Sequence, residues 1–336
     1  MTYQELFLKE FPEYKQYSNM YITNNVKRGH PDLSGYDHVV FFLPEPLKIG
    51  FIELIHDTTR LRNADNTNVT ICCGSMNPDV VVQYTQWCKD NNTKPCNIRL
   101  MEMFKNLYID CAEPTQYHIT HTNRKKHFMC LNKGPRIHRT ECVAHLWKKG
   151  LLDLGMVSHK AIDMLPKKTF SDNVIEWFEE QKGNLPYIVD GNHIEAGGSV
   201  QRELLDYASK VHFQIVTETG FYTQDNLDGF LKNDLFVTEK TYKTFYMGHP
   251  FVVLSQPGTI RHVKKLGFDV FDDIINHDYD NISDDQQRFE AVLTEALRLC
   301  TISLTRWNNI RELILPRLLE NHRIYVDELT DMPKKI

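Results

Sequence analysis

Short apolar runs without alternation constrain this chain more than any other feature of it. Residues 38–43 read HVVFFL, 69–73 read VTICC and 251–254 read FVVL. A strand with one wet face alternates apolar and polar residues, whereas an unbroken run belongs in a sheet covered on both faces, the usual state of a parallel sheet wrapped by helices. The intervening segments supply those helices. In the first half, 80–90 is amphipathic. In the second half the order is strand 127–131, helix 140–152, strand 187–189, helix 200–210 and strand 213–216. After Pro250 the pattern continues through helix 259–266 to a short strand at 269–271, and 284–328 reads as helical with a break near Pro316. Alternation of this kind predicts Rossmann-like α/β layers.

A length of 336 residues suits two such domains. Residues 112–126 lack a clean period and gather polar and basic side chains, which marks the approach to a linker. The expected division is 1–125, an acceptor-side Rossmann-like domain; 126–305, a nucleotide-binding domain; and 306–336, a helical tail able to return to the first domain. A net charge of −5 argues against a nonspecific nucleic-acid coat. The start MTYQELFLKEFPEY carries acids and no long apolar core, so it reads as neither signal peptide nor anchor, and a cytoplasmic location is expected. Eight cysteines without a C-x-x-C pair read as reduced, buried side chains rather than a zinc site.

The densest chemistry lies in 236–258, FVTEKTYKTFYMGHPFVVLSQPG. Thr238 can cap a helix whose first turns carry Glu239, Lys240 and Lys243, where the positive end of the helix dipole favours an anion. Glu239 and Lys243 also form an i,i+4 pair of the kind that decorates a solvated face. Gly248, His249 and Pro250 stop the helix before the apolar run. Two more clusters sit after strands. Lys133, Arg136 and Arg139 occupy NKGPRIHR, where arginine forks would match a diphosphate, although the same residues could solubilise a loop. Glu218, between Thr217 and Thr219, could accept hydrogen bonds from a sugar or ribose, or serve as a cap.

The stretch 218–271 resembles the donor-binding half of GT-B glycosyltransferases, particularly the fucosyltransferase-like and exostosin-like enzymes, through its Thr-Glu-Lys helix start and its Pro-Phe-Val-Val strand. The tail patterns LGFDVFDD and HDYD resemble members found in phages and large DNA viruses. The likeness begins near residue 127, and it implies two Rossmann-like domains facing an interdomain cleft with a long C-terminal helical segment. It also implies transfer of a sugar from a nucleoside-diphosphate sugar to an acceptor hydroxyl, without a resident cofactor or metal. Lys133, Arg136, Arg139, Glu218, Thr238, Glu239, Lys240 and Lys243 would bind the donor. By the same likeness Glu239 contacts ribose or sugar and Lys240 or Lys243 the phosphates.

Departure of a diphosphate gathers negative charge, which preplaced cations stabilise selectively in the transition state. The acceptor hydroxyl needs a base, for which Glu45, directly after the buried run in FFLPEPL, is the first candidate and Asp57 in LIHDTTR the second. If the chain is viral, its site of action is the host cytoplasm and the acceptor could be a hydroxymethylated base of phage DNA, helped by Arg124, Lys125, Lys126, Lys27, Arg28, Arg60 and Arg62, which could equally be ordinary surface; otherwise a glycan is expected. Two alternatives stand beside this. One is a nucleotide- or glycan-binding module of the same fold without turnover. The other is a metal-dependent GT-A-like transferase using the D-x-D of Asp278 and Asp280, set against a reading of that triplet as a solvated loop.

Overall fold

The runs HVVFFL and VTICC form neighbouring parallel strands, with Val39 beside Val69 and Leu43 beside Cys73. Both are buried at every position. The computed structural model describes residues 3–25, 30–102, 117–121, 124–132, 136–159, 171–181, 184, 202–223 and 234–330. These group into two compact units. The first holds 3–102 with 222–223 and 234–236, and the second holds 117–221 and 237–330. Residues 222–223 and 234–236 thus group with the first unit, a return of the chain that a single boundary near 125 did not include.

The first unit carries a parallel sheet in the order β1 (Met20–Thr23), β2 (His38–Leu43), β3 (Val69–Cys73) and β4 (Asn97–Leu100). Helices α1 (Tyr3–Glu10), α2 (Ile49–Leu61) and α3 (Asp79–Asp90) accompany it. Val80, Tyr84 and Cys88 of α3, one turn apart, join Ile52 and Ile55 of α2 in a core with Val39, Phe41 and Ile71. On the other face the Thr70 hydroxyl meets the Tyr14 hydroxyl at 3.0 Å and His38 Nε2 at 2.9 Å. Two covered faces explain the missing alternation. Gly74 then lets the chain turn, because a Cβ there would lie 2.6 Å from the Pro44 carbonyl oxygen.

The second unit also carries a parallel sheet, of β5 (Lys126–Asn132), β6 (Gly155–His159), β7 (Val211–Thr217) and β8 (Phe251–Leu254). Its order is β6-β5-β7-β8. The chain moves outward from β5 to β6 and then returns to the other side of β5, so the strand order reverses between β5 and β7. Helices α4 (Tyr117–Thr120), α5 (Ile137–Lys148), α6 (Asp172–Gln181), α7 (Arg202–Ala208), α8 (Glu239–Tyr246), α9 (Thr259–Lys265), α10 (Asp285–Cys300) and α11 (Leu304–Thr330) complete it. Among the described residues no helix is long and apolar enough to cross a membrane.

Several expectations are corrected. Residues 269–271 are not a strand: Phe271 takes φ 63, and Asp269 is held by Arg317 at 2.5 and 2.9 Å. The break in the C-terminal helical stretch lies at 301–303 rather than at Pro316, which sits inside α11. Ser303 starts the new helix, its Oγ accepting from Arg306 N at 3.3 Å. Proline in a helix interior costs about 3 kcal/mol, and burial of Ile314 and Leu318 against Ile119 and Phe271 offsets it. The described part of this tail packs on α8 and α4 of its own unit. The strands β1, β4 and β6 and the helices α1, α2, α4 and α6 were not anticipated, and the expected strand at 187–189 lies outside the described residues.

Candidate functional site

In an open parallel sheet, ligands favour the carboxyl ends of the strands where the strand order reverses, because loops diverge there and leave a crevice. In the second unit that point lies between β5 and β7, whose ends are joined by Thr217 Oγ1 donating to Asn132 Oδ1 at 2.5 Å. Two helices begin beside it, α5 after β5 and α8 in the segment that follows β7.

Glu218 ties both starts together. Its side chain is fully buried, and no cation among the described residues bonds to it. Its carboxylate accepts from Thr219 N at 3.1 Å, Thr238 N at 3.0 Å, Thr238 Oγ1 at 2.6 Å, Thr241 N at 3.3 Å and Thr241 Oγ1 at 2.5 Å. Five donors and the positive end of α8 replace the lost solvent. Its backbone carbonyl accepts from His138 Nε2 at 2.9 Å and Arg139 Nη2 at 3.1 Å at the start of α5. The carboxylate that the sequence offered to a sugar is therefore consumed in building the site, and it shapes the site rather than touching a ligand.

The start of α8 is likewise fuller than expected. Thr238 is the N-cap and accepts from Lys240 N at 3.3 Å, while Glu218 takes the Thr241 amide, so two of the first-turn amides are already used. What remains toward solvent is a carboxylate and an ammonium. Lys240 Nζ donates to Glu239 Oε1 at 2.8 Å, to Thr238 Oγ1 at 3.2 Å and to Thr219 Oγ1 at 3.3 Å. The Glu239 side chain is 16% exposed and that of Lys240 28%. Burial pushes the Glu239 carboxyl up, but the charge and hydrogen bond of Lys240, with the charge of Lys243, outweigh it and hold the group below its usual range. Glu239 is thus an ionised acceptor at the rim, fit for hydroxyls.

The start of α5 is the better anion seat. Its N-cap, Arg136, is extended and half-buried and gives no side-chain cap, so the helix presents its positive end with arginines at and just inside it. Arg139 is buried and fixed to Glu218. Neighbouring His138 is held well below its ordinary pKa by burial and by Arg139, although its bond to the Glu218 carbonyl opposes this. It is therefore neutral, with its proton on Nε2 to donate to that carbonyl. Lys133 lies outside the described residues.

Sequence reasoning missed His138, Phe221 and Arg288. His138 stacks on Phe221 with centroids 5.2 Å apart, and the wholly buried Arg288 covers the same ring at 4.6 Å while donating to the carbonyls of Phe221 and Ser255. These residues lie far apart in sequence, and no local period links them.

The tail patterns are architectural. Asp269 and Asp273 grip Arg317 of α11, and His277 bonds the Tyr279 hydroxyl at 2.7 Å. The D-x-D triplet does not fit a cation. Asp278–Asn281 is a 3₁₀ turn, and both oxygens of buried Asp280 cap α9, accepting from Ile260 N at 2.9 Å and Arg261 N at 3.0 Å. No cluster of metal-ligating side chains is found among the described residues.

In the first unit, Glu45 follows β2 at the carboxyl edge. Its carbonyl accepts from Gly74 N at 3.1 Å, and its half-exposed side chain pairs with Lys48 at 3.0 Å. Asp57 lies elsewhere, exposed near the far end of α2 and paired with Arg60 at 2.7 Å. From Ile49 to Asp57 the helix rises about 12 Å at 1.5 Å per residue, so the structure does not bring the two acids together. A third acid, Asp234, reaches the same edge as Glu45. Buried beside the end of β3, it accepts from Ser75 Oγ at 2.7 Å, and burial pushes its carboxyl up to about 6. Arg124, expected to face an acceptor, is buried at 2% exposure. Comparison of the chain with protein-family models, with curated proteins and with solved structures finds no match.

Proposed function

We propose that the chain is a glycosyltransferase of GT-B type that moves a sugar from a nucleoside-diphosphate donor to an acceptor hydroxyl. One observation carries this reading: two helix starts bearing Arg136, Arg139, Glu239 and Lys240 are locked together by Glu218 at the strand-order reversal of a parallel sheet. In this reading the start of α5, with Arg136, takes the diphosphate, and Lys240 and Lys243 add charge as the leaving group departs. Arg139, fixed to Glu218, contributes its charge from beneath. Glu239 accepts hydroxyls of the ribose or sugar, and Glu45 of the first unit removes the acceptor proton.

The cationic helix starts supply the leaving-group stabilisation that a divalent ion supplies in GT-A enzymes, and the cap formed by Asp280 weighs against the D-x-D alternative. Burial of Arg124 and the pairing of Arg60 with Asp57 lessen the charge available to a DNA acceptor, so a glycan hydroxyl is the favoured acceptor. The deciding experiment is a thermal-shift panel with UDP, GDP, CMP, ADP and their sugar conjugates, with and without magnesium. A rise with one nucleoside diphosphate, independent of magnesium, is expected. Donor hydrolysis without acceptor then separates an enzyme from a binding module, which would release no sugar.

A further inference from the structure

Two arginines of the second unit are buried with no carboxylate bonded to them among the described residues. Arg124 is 2% exposed and Arg311, on α11, is 5% exposed. Arg124 donates to the carbonyls of Ala208, Val211, His118 and Ile119 and meets His249 Nε2 at 3.1 Å. Arg311 Nη2 donates to the carbonyls of Ile119 at 2.7 Å and Gly248 at 3.1 Å. Sharing the Ile119 carbonyl brings the two cations close together, and no carboxylate among the described residues bonds either one. Burial pushes Arg311 down to about 9, and burial with the charge of Arg311 pushes Arg124 down to about 8. Both values lie above neutral pH, so both guanidinium groups keep their charge there. An uncompensated buried ion costs several kcal/mol even after relaxation.

Arg311 retains unused donors. Its Nε and Nη1 are buried and have no hydrogen-bond partner among the described residues. Beside them is a cavity of about 20 Å³ lined by Ile119, Thr120, His121, Asn308, Arg311, Leu315 and the exposed Glu312. Asn308 Oδ1 is also buried without a partner among the described residues, and rotation of that amide would present its N–H₂ to the same space. A space of this size holds one water or one ion of similar radius.

We propose that this cavity is a binding site for a small monovalent inorganic anion, a halide such as chloride, which neutralises the Arg124–Arg311 pair. The anion accepts from Arg311 and from the turned Asn308 amide. The site lies at the carboxyl end of α8, where Arg311 already holds the Gly248 carbonyl. It is independent of nucleotide binding, and a halide there stabilises the fold rather than taking part in transfer.

The test is thermal melting with sodium chloride or bromide exchanged for sodium gluconate at constant ionic strength, on the wild-type chain and on Asn308→Asp. The wild type is expected to melt several degrees higher in chloride or bromide, with a saturating dose dependence. Asn308→Asp, which places a carboxylate where the anion sits, is expected to melt higher than the wild type in gluconate and to lose the halide increment. Equal wild-type melting in chloride and gluconate would mean that the cavity holds only water and would overturn the proposal. So would an unchanged halide increment in Asn308→Asp. If that variant does not fold, the wild-type series still decides, together with anomalous scattering from bromide-soaked crystals, which must place bromide beside Arg311.

Discussion

Thr238 points both its amide, at 3.0 Å, and its hydroxyl, at 2.6 Å, at the carboxylate of Glu218. Two residues twenty positions apart thereby fix where α8 begins relative to the end of β7, and every group proposed to meet the donor on α8 follows from that join.

Glu218→Gln should destabilise the chain by about 3 kcal/mol, because an amide N–H₂ would face donors that now meet an ionised oxygen. Thr238→Ala should cost less, about 1 kcal/mol as for other N-caps. Urea unfolding measures both. A Glu218→Gln midpoint equal to that of the wild type would show that the carboxylate does not hold the helix start.

Arg136→Ala and Lys240→Ala should each weaken nucleoside-diphosphate binding about tenfold, the loss of one charge-assisted contact, with the urea midpoint unchanged. Lys243→Ala, one turn further along α8, should have a smaller effect. Calorimetric titration reads all three, and unchanged affinity throughout would place the donor elsewhere.

Glu45→Gln should slow transfer by a hundredfold or more, on the order expected for a lost general base, and leave donor affinity intact. Asp57→Asn should leave the rate alone, because Asp57 lies near the far end of α2 and pairs with exposed Arg60. Rates in the reverse order would move the base to α2.

Asp234 gives a pH signature. Its carboxyl titrates at about 6 in the fold against 3.8 for an ordinary carboxyl. Between those values the folded chain holds a proton that the unfolded chain has lost, so stability falls as pH rises from about 4 to about 6 and then levels off. The fall amounts to about 3 kcal/mol. Asp234→Asn should abolish it, and equal slopes in variant and wild type across that window would refute the assignment.

Asp280→Asn should cost about 1 kcal/mol through the weakened α9 cap and leave the response of transfer to magnesium unchanged. Loss of a magnesium-dependent rate would instead restore the D-x-D reading.

The sequence by itself determined the class of layers. Unbroken runs such as HVVFFL and FVVL are decided by local composition, since a run without alternation needs cover on both faces, and both are fully buried in parallel sheets. Thr238 as a cap was also legible, because capping is a contact between residues two apart. The tertiary structure alone decided which polar groups were spent. Whether Glu218 faces a ligand or five protein donors, whether Arg124 reaches solvent or carbonyl oxygens, and whether Asp280 meets a metal or two helix amides depends on partners that include residues 20 to 87 positions away. Short-range pattern records which groups a segment carries; only the packed chain determines which of them already have partners.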